Sequence, residues 1–434
     1  MALEVVCAIL SLLGLARMLT VYDLVSMFLV LTAAFAWINH RFIRLPHTIG
    51  LLVMGLVASL VLIGAEFVFP GVLPYEDLAR IIREIDFQKT VLDGMLAFLL
   101  FAGALHVDLE RLRDRAWVVG SMATVGVLLS TGIVGVGFWF AAGALGVPIA
   151  FSWALVFGAL ISPTDPVAVL STLKTVHVPA ILKAEMVGES LFNDGVGVVI
   201  FTVLMAAAIS ASGGGIDLVE VSELFFIEAL GGAVLGFVTG YVAYRAMRAI
   251  DDYPIEVLIS LALVAGTYTL AAKLHMSGPI AVVVAGVLIG NRGLHDAMSD
   301  QTERYLFGFW TLVDEILNSV LFLLIGLEVL VLRLDPSFGW LVLVAIPLVL
   351  CARLFAVAIP VFALSANYTF TRGTIPVLTW GGLRGGISIA LALSIPEGPE
   401  KSVILAATYA LVLFTVVVQG LSLRAVVQRV VKDT

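Results

Sequence analysis

Charged residues are scarce in this sequence of 434 residues. Lys, Arg, Asp and Glu make up 13% of the chain and apolar residues 61%, whereas a typical soluble domain has about 25% charged and 45–50% apolar residues. No polar gap is longer than a loop, so the composition excludes a soluble globular protein and a large soluble domain. The sequence therefore predicts that residues 1–434 form a single membrane-embedded domain.

Cysteine is scarce as well, with only Cys7 and Cys351, and both lie in apolar runs. This excludes a disulfide framework and argues against a structural metal site. The six His residues do not cluster, and we expect no cofactor. The apolar residues 1–19 contain Glu4 and lack the basic region that begins a cleaved signal peptide, which predicts an extra helix or an interfacial segment.

Long apolar stretches are what the sequence has instead, and most are long enough for the roughly 20 helical residues that cross a bilayer. They predict an all-α polytopic membrane protein with about 13 transmembrane helices. The stretches are residues 24–38, 48–64, 91–107, 117–141, 149–173, 184–209, 225–243, 255–272, 278–290, 306–331, 340–365, 374–395 and 402–420.

Basic residues are distributed unequally between the loops that join these stretches. One set of alternate loops, including the C-terminal tail, holds fifteen Lys and Arg residues, and the other set holds six. Short cytoplasmic loops are enriched in Lys and Arg. The distribution predicts a multi-pass protein with a cytoplasmic C-terminus, and the short C-terminal tail suggests a prokaryotic inner membrane.

The stretch 184–209 carries a group of polar residues that includes Glu189, Ser190, Asn193 and Asp194. Their spacing of three and four places them on one face of a helix. An ionisable group at membrane depth costs several kcal/mol unless a partner, water or an ion compensates its charge. This face therefore predicts a functional site, and the alternative is a polar cluster that only holds helices together.

Two prolines interrupt the stretch 149–173. Pro163 and Pro166 flank Thr164 and Asp165, and each proline removes an amide donor and clashes with the preceding helical turn. Unwound backbone inside a membrane is tolerated only where protein buries it or where it lines a cavity. We therefore expect Thr164 and Asp165 to lie in a buried break.

Four glycines surround Arg384 in the stretch 374–395, within residues 381–386, and they favour a second break or a close helix contact. Interrupted helices at corresponding positions of two halves indicate an inverted-repeat transporter whose site lies near the bilayer midplane. The fourth to sixth and the eleventh to thirteenth stretches would form the two repeats, with the two broken helices crossing.

The deepest ionisable residues are Asp165, Glu189, Asp194, Arg353 and Arg384, which together carry one net negative charge. If Glu189 pairs with one arginine and helix carbonyls partly neutralise the other, the remaining carboxylates need a cation. Either H⁺ or a small metal ion meets that need. One site with two competing ligands is the basis of an exchanger, which requires no enzymatic step.

Hard cations bind oxygen ligands, and the candidates are Asp165, Asp194, Ser190 and the Thr164 carbonyl. Asn193 is better suited to hold the unwound backbone. For Ser190 and Asn193, interhelical hydrogen bonding is an equal alternative. Two other functions fit the acids in principle, an intramembrane aspartyl protease with Asp165 and Asp194 as its dyad and an ion channel.

Three motifs, in this order and with matching spacing, resemble those of the monovalent cation/proton antiporters of NhaP and NHE type. They are Ser-Pro-Thr-Asp-Pro-Val-Ala-Val at 162–169, Gly-Glu-Ser-Leu-Phe-Asn-Asp-Gly at 188–195 and Trp-Gly-Gly-Leu-Arg-Gly-Gly at 380–386. The resemblance implies an NhaA/NhaP-like fold and exchange of Na⁺, Li⁺ or K⁺ for H⁺ by alternating access, in the service of pH homeostasis. A K⁺/H⁺ antiporter of the same fold is the alternative.

The resemblance also implies a homodimer in which a core moves against a dimerisation domain. The core would comprise the helices of residues 117–209 and 340–420, and the dimerisation domain those of residues 24–107 and 225–331. Lipid and the transported ions would be the other partners, and nucleic acid would not be one.

For the site, the resemblance implies that Asp194 binds ion or proton. It implies a Na⁺ site formed by Asp165, Asp194, Ser190 and Thr164, a structural ion pair of Glu189 with Arg353, and a helix-crossing charge at Arg384. Electroneutral exchange is also implied, because Asn193 and Arg353 stand where electrogenic relatives carry Asp and Lys.

One position departs from the family pattern. Relatives often carry an acid in the third helix, where this chain has Ala102. Asp93 lies nine residues earlier, about 13 Å along a helix, and cannot substitute for that acid. This departure leaves the ion preference open.

Overall fold

The computed structural model describes residues 21–68, 87–108, 113–165, 169, 178–211, 218–293, 299–330 and 336–431. Within these ranges the chain is helical and contains no strand. The expectation for residues 1–19 lies outside the described residues, as does Pro166.

The helices follow the predicted apolar stretches, and nine of those within the described ranges are long and apolar enough to cross a membrane. All the helical segments used below, long and short, are numbered in chain order as α1 (Val21–Ile38), α2 (His47–Val68), α3 (Thr90–Leu105), α4 (Ala116–Ala144), α5 (Phe151–Leu160), α6 (Ala180–Ala211), α7 (Leu218–Met247), α8 (Tyr253–Lys273), α9 (Gly278–Leu288), α10 (Asp300–Glu328), α11 (Gly339–Leu364), α12 (Thr374–Trp380), α13 (Gly386–Leu393) and α14 (Pro399–Val430).

Several helices begin at residues that satisfy free amide groups of the first turn. Asp252 accepts a hydrogen bond from the Ile255 amide at the start of α8, and Ser277 accepts one from the Ile280 amide at the start of α9. Both helices also carry a proline in their first turn, where the missing amide has no intrahelical partner to lose. These local signals separate helices that are uniformly apolar along their length.

The same order of elements occurs twice. A long helix, a broken helix and a long helix follow one another in α4, α5 and α6, and again in α11, α12 with α13, and α14. Helix α4 packs against α5 and α11, while α13 packs against α14. The two interrupted segments are thereby surrounded by long helices.

The remaining helices pack closely with one another. Helix α2 contacts α10, and α9 contacts α3 and α7. At the α2–α10 contact, a Cβ atom on Gly326 would lie 2.6 Å from the Leu52 carbonyl oxygen. Only glycine allows the two backbones to approach this closely, which is a common way for helices to pack within a membrane.

Candidate functional site

The first break follows α5. The helix ends at Leu160, and residues 163–165 have no regular structure, because Pro163 can neither donate to nor fit within a continuing helix. The Thr164 amide donates to Asn193 Oδ1 at 3.2 Å, and the Thr164 carbonyl accepts the Ser190 hydroxyl. The released backbone groups are thus satisfied by side chains of α6.

The second break separates α12 from α13, at residues 381–385. Here the partners come from α14. Gln419 Nε2 donates to the Trp380 carbonyl at 3.2 Å, and the Arg384 amide donates to Thr415 Oγ1 at 3.1 Å. Both Thr415 and Gln419 are buried, so α14 replaces the hydrogen bonds that the glycine-rich segment cannot make with itself.

The two breaks contact each other directly. The Asp165 amide donates to the Leu383 carbonyl at 2.8 Å, and Arg384 Nη1 donates to the carbonyls of Ser162 and Pro163 at 2.5 and 2.7 Å. The positive side chain therefore meets carbonyls at the C-terminal end of α5, where the helix dipole is negative. The predicted crossing of two broken helices is confirmed.

Arg384 is buried, and this contact uses only part of its guanidinium group. Its Nε and Nη2 atoms have no hydrogen-bond partner within the residues that the structure describes. The charge of Asp194 acts on the same guanidinium group. Arg384 therefore combines a structural contact to the first break with electrostatic stabilisation of a nearby acid.

Glu189 and Arg353 form a bidentate ion pair inside the protein. Arg353 Nη1 lies 2.5 Å from Glu189 Oε1, and Nη2 lies 2.6 Å from Oε2. Arg353 Nη2 also donates to the Leu378 carbonyl at 3.2 Å. A pair with parallel hydrogen bonds is the geometry in which a buried charge pair is best compensated.

Asn193 connects this ion pair to the first break. Its Nδ2 atom donates to Glu189 Oε1 at 3.0 Å and to Thr164 Oγ1 at 2.9 Å, while its Oδ1 atom accepts from the Thr164 amide. Asn193 is fully buried. The amide therefore holds the unwound backbone, the role that its chemistry suggests.

Asp194 differs from Glu189 although the two lie little more than one turn apart. It is only 5% exposed, and no hydrogen bond to its carboxylate is found among the described residues. The charges of Asp165, Glu189 and Arg384 act on it. A buried carboxylate in this setting is an expensive arrangement unless a cation or a proton neutralises it.

Asp165 lies beside a small cavity next to the crossing. The volume open to the centre of a water-sized sphere is about 10 Å³, and Thr164, Asp165, Glu189, Ser190 and Arg353 contribute to its lining. Such a volume holds about one water molecule. Asp194 is outside that lining, so the cavity reaches one side of the acidic cluster only.

The eight site residues predicted from the sequence thus lie in one cluster at the crossing. They are Thr164, Asp165, Glu189, Ser190, Asn193, Asp194, Arg353 and Arg384. Beside it, Glu185 pairs with Arg115 at 3.4 Å, an interaction that sequence reasoning missed. Glu185 is fully buried one turn before Glu189, and an acid at that spacing in an apolar stretch could have indicated it. Nothing in the sequence around Arg115, which directly precedes α4, indicates that it pairs with Glu185.

Comparison with known proteins places the chain in a family. Residues 29–429 match the family described as sodium/hydrogen exchanger, transmembrane. The Na⁺/H⁺ antiporter NhaP of Pseudomonas aeruginosa is 48% identical over 416 residues, which cover 94% of this chain and 96% of that protein. The Na⁺/H⁺ antiporter NhaH of Halobacillus dabanensis is 36% identical over 403 residues, covering 90% of this chain and 93% of the relative.

A solved structure shares the fold. The sodium proton antiporter MjNhaP1 from Methanocaldococcus jannaschii at pH 8 superposes with a TM-score of 0.72 at 18% identity, covering 94% of this chain and 98% of the other. The predicted antiporter fold is confirmed, and the protein is an integral, multi-pass membrane protein. The chain belongs to the transmembrane sodium/hydrogen exchanger family.

Proposed function

We propose that this protein exchanges Na⁺ for H⁺ across the membrane by alternating access. The observation that carries the proposal is the buried Asp194 carboxylate, which lacks a hydrogen bond within the described residues and lies beside two crossing broken helices. The names of the relatives, Na⁺/H⁺ antiporters, support the choice of ions. No covalent step is needed, because exchange follows from the competition of two cations for one site.

We infer that Na⁺ binds at Asp165, Asp194, Ser190 and Thr164. In the structure the Ser190 hydroxyl donates to the Thr164 carbonyl, so these two oxygens already face each other. A cation that binds both must replace this hydrogen bond, which requires the hydroxyl to turn its lone pair towards the ion. Carboxylate, hydroxyl and carbonyl oxygens together suit a hard monovalent cation.

Electroneutral exchange follows from the same arrangement. Glu189 is committed to Arg353 through two hydrogen bonds, and Asn193 carries no charge. One net negative charge then remains on Asp165, Asp194 and Arg384 together. Either one Na⁺ or one H⁺ compensates that charge, so each half-cycle carries the same charge.

The moving part that we propose comprises the helices of residues 117–209 and 340–420, with those of residues 24–107 and 225–331 forming a dimerisation domain. The packing of α4 on α5 and α11, and of α2 on α10, is consistent with this division. Because Arg384 and Asp165 connect the two breaks, the crossing is suited to move as a unit within the core. We place the homodimer in an inner membrane with the C-terminus in the cytoplasm.

Proteoliposomes loaded with a pH-sensitive dye test the exchange reaction. Addition of Na⁺, Li⁺ or K⁺ outside should drive H⁺ out, and an electroneutral exchanger should do so equally with the membrane potential clamped or free. The order of the three ions reveals whether K⁺ is the preferred substrate. Efflux that depends on the clamp would contradict electroneutrality, and no efflux with any ion would contradict exchange.

Substitution of the acids tests the site. Asp194→Ala should abolish exchange and Asp165→Ala should nearly abolish it, because each removes part of the negative charge that the bound cation neutralises. Glu397→Ala is the matched control, since Glu397 forms an exposed pair with Lys401 at 2.8 Å. Wild-type exchange in a site variant that reaches the membrane would remove that residue from the mechanism.

A further inference from the structure

The turn between α1 and α2 carries a second group of positive side chains, far along the sequence from the ion site. His40, Arg41, Arg44 and His47 line an open cavity of about 570 Å³. The two arginines, Arg41 and Arg44, give this turn a positive charge.

The turn that displays them has a fixed conformation. Asn39 is buried, its Nδ2 atom donates to the Leu45 carbonyl at 3.0 Å, and its Oδ1 atom accepts from the Leu45 amide at 3.2 Å. The Arg44 amide donates to the Asn39 carbonyl at 2.6 Å, and Arg44 has a left-handed conformation with φ of 62°. The backbone that carries the arginines is therefore organised before any ligand binds.

The two guanidinium groups are available to a ligand. Arg41 and Arg44 are exposed, and neither forms an ion pair within the ranges that the structure describes. Arg41 lies over the Phe42 ring at 5.6 Å from its centroid, which leaves its edge donors free. An arginine presents several donors in a fork that matches phosphate oxygens.

Exposed apolar side chains lie next to these basic residues in the sequence. Trp37 is 62% exposed and Phe42 66% exposed, and their rings meet edge to face with centroids 5.8 Å apart. Ile43 is exposed beside them. Tryptophan and other aromatic residues favour the level of the lipid headgroups, so a ligand with both a phosphate and acyl chains matches this surface better than a free anion.

We propose that the α1–α2 turn binds the phosphate of an anionic phospholipid through Arg41 and Arg44, with the acyl chains against the Trp37 and Phe42 side chains. Basic pockets at the ends of transmembrane helices recognise such headgroups. Lipid binding at this turn is independent of which ions the protein transports.

Lipid binding at this turn should stabilise the packing of α2 against α10. His47 Nε2 lies 2.7 Å from Ser319 Oγ of α10, so the turn is connected to the neighbouring helix. A ligand that binds the folded protein alone raises its apparent stability. The melting temperature therefore provides a second measurement beside direct binding.

The test uses the purified full chain in a neutral detergent, titrated with phosphatidylglycerol or phosphatidylcholine while bound lipid is counted by native mass spectrometry. We expect phosphatidylglycerol to bind more tightly and to raise the melting temperature. Combined Arg41→Gln and Arg44→Gln substitution should weaken phosphatidylglycerol binding by about tenfold or more. The matched control is Arg245→Gln with Arg248→Gln, which removes two exposed arginines at the end of α7 and should leave binding unchanged.

Three outcomes would overturn the proposal. Equal weakening in the control variant would indicate general surface charge, and unchanged binding in the α1–α2 variant would exclude the turn. Inorganic phosphate that displaces the lipid at comparable concentration would indicate a site for free anions. Elution from a size-exclusion column as a single symmetric peak verifies that each variant is folded. If the double variant is not folded, the single variant Arg41→Gln replaces it, and we expect an intermediate loss of phosphatidylglycerol binding.

Discussion

At the scale of single residues, the two acids of α6 differ because of their partners. The Glu189 carboxylate accepts hydrogen bonds from Arg353 and Asn193, whereas the Asp194 carboxylate has no hydrogen bond within the described part of the chain. Both are buried, so solvent does not explain the difference. The ion pair fits a structural role for Glu189, and the lack of a comparable partner fits the cation-binding role that we propose for Asp194.

Arg353→Ala should therefore lower stability strongly, by about 3–5 kcal/mol, because it leaves the Glu189 charge buried without its partner. Thermal unfolding of the purified variants measures the effect. The control is Lys401→Ala, which breaks an exposed pair that contributes at most about 1 kcal/mol. Equal melting temperatures for Arg353→Ala and the unmodified protein would contradict a structural role for the pair.

The pair of Glu185 with Arg115 leads to an asymmetric prediction. Arg115 retains a hydrogen bond to the Thr369 carbonyl at 2.8 Å and contacts the rings of Tyr368 and Phe370, whereas neither carboxylate oxygen of Glu185 has a hydrogen-bond partner among the described residues. Arg115→Gln should therefore destabilise the protein by a few kcal/mol, and Glu185→Gln by less. Melting temperatures in the reverse order would show that Arg115 does not compensate Glu185.

At the scale of elements, the breaks persist because other helices satisfy their backbone. Thr164 is held from α6, and Trp380 and Arg384 are held from α14. Unpaired backbone groups cost several kcal/mol each in a membrane. The crossing is therefore a defined structure supported by specific side chains.

Substitution of Gly385 tests whether exchange requires the close approach of the two helix breaks. A Cβ atom there would lie 2.8 Å from Asp165 Cβ and 2.9 Å from Asp165 Cγ, which is closer than such atoms pack. Gly385→Ala should displace Asp165 and reduce exchange at least tenfold in proteoliposomes. Gly132→Ala is the control, because nothing lies within 4 Å of its added Cβ atom, and alanine favours a helix by about 1 kcal/mol.

Full exchange in Gly385→Ala would mean that the crossing tolerates separation of the two breaks. Reduced exchange in Gly132→Ala as well would mean that the loss is not specific to the crossing. The pair of variants therefore distinguishes a local clash from a general effect of adding a methyl group.

The two helix breaks could be predicted from the sequence because the residues that cause them act locally. Pro163 and the glycines around Arg384 predict both breaks, since each acts on its own backbone. The sequence does not identify Thr415 and Gln419 as partners of the second break, because only the packing of α14 brings them there. The residues alone also left open which arginine pairs with Glu189, and the geometry selects Arg353.

At the scale of the whole molecule, the packing of the helices places one acidic cluster between two repeats of the same helix order. A site built from both repeats can open to either side while its ligands stay the same, which is how transporters with this arrangement alternate access. In the mechanism that we propose, binding and translocation are coupled through the position of the core. The relative affinities for Na⁺ and H⁺ decide which cation the core carries.

Proton competition should make the apparent Na⁺ affinity fall as the pH falls. A protonated carboxylate must release its proton before Na⁺ can bind, so the effect approaches about tenfold per pH unit for one shared proton. The concentration of Na⁺ that gives half-maximal exchange, measured from pH 6 to pH 8, checks this expectation. A flat profile over that range would contradict a shared site, and Glu397→Ala should reproduce the profile of the unmodified protein.

The Asn193 amide also constrains how the charge coupling of this protein could be redesigned. An Asp at this position would lose the donors to Glu189 Oε1 and Thr164 Oγ1 and would place a second carboxylate against the first. We therefore expect the single substitution Asn193→Asp to lower the stability of the protein and not to increase the number of protons carried per transport cycle. We therefore expect an electrogenic variant to need coordinated changes at Asn193 and Glu189, with effects on stability that are not additive.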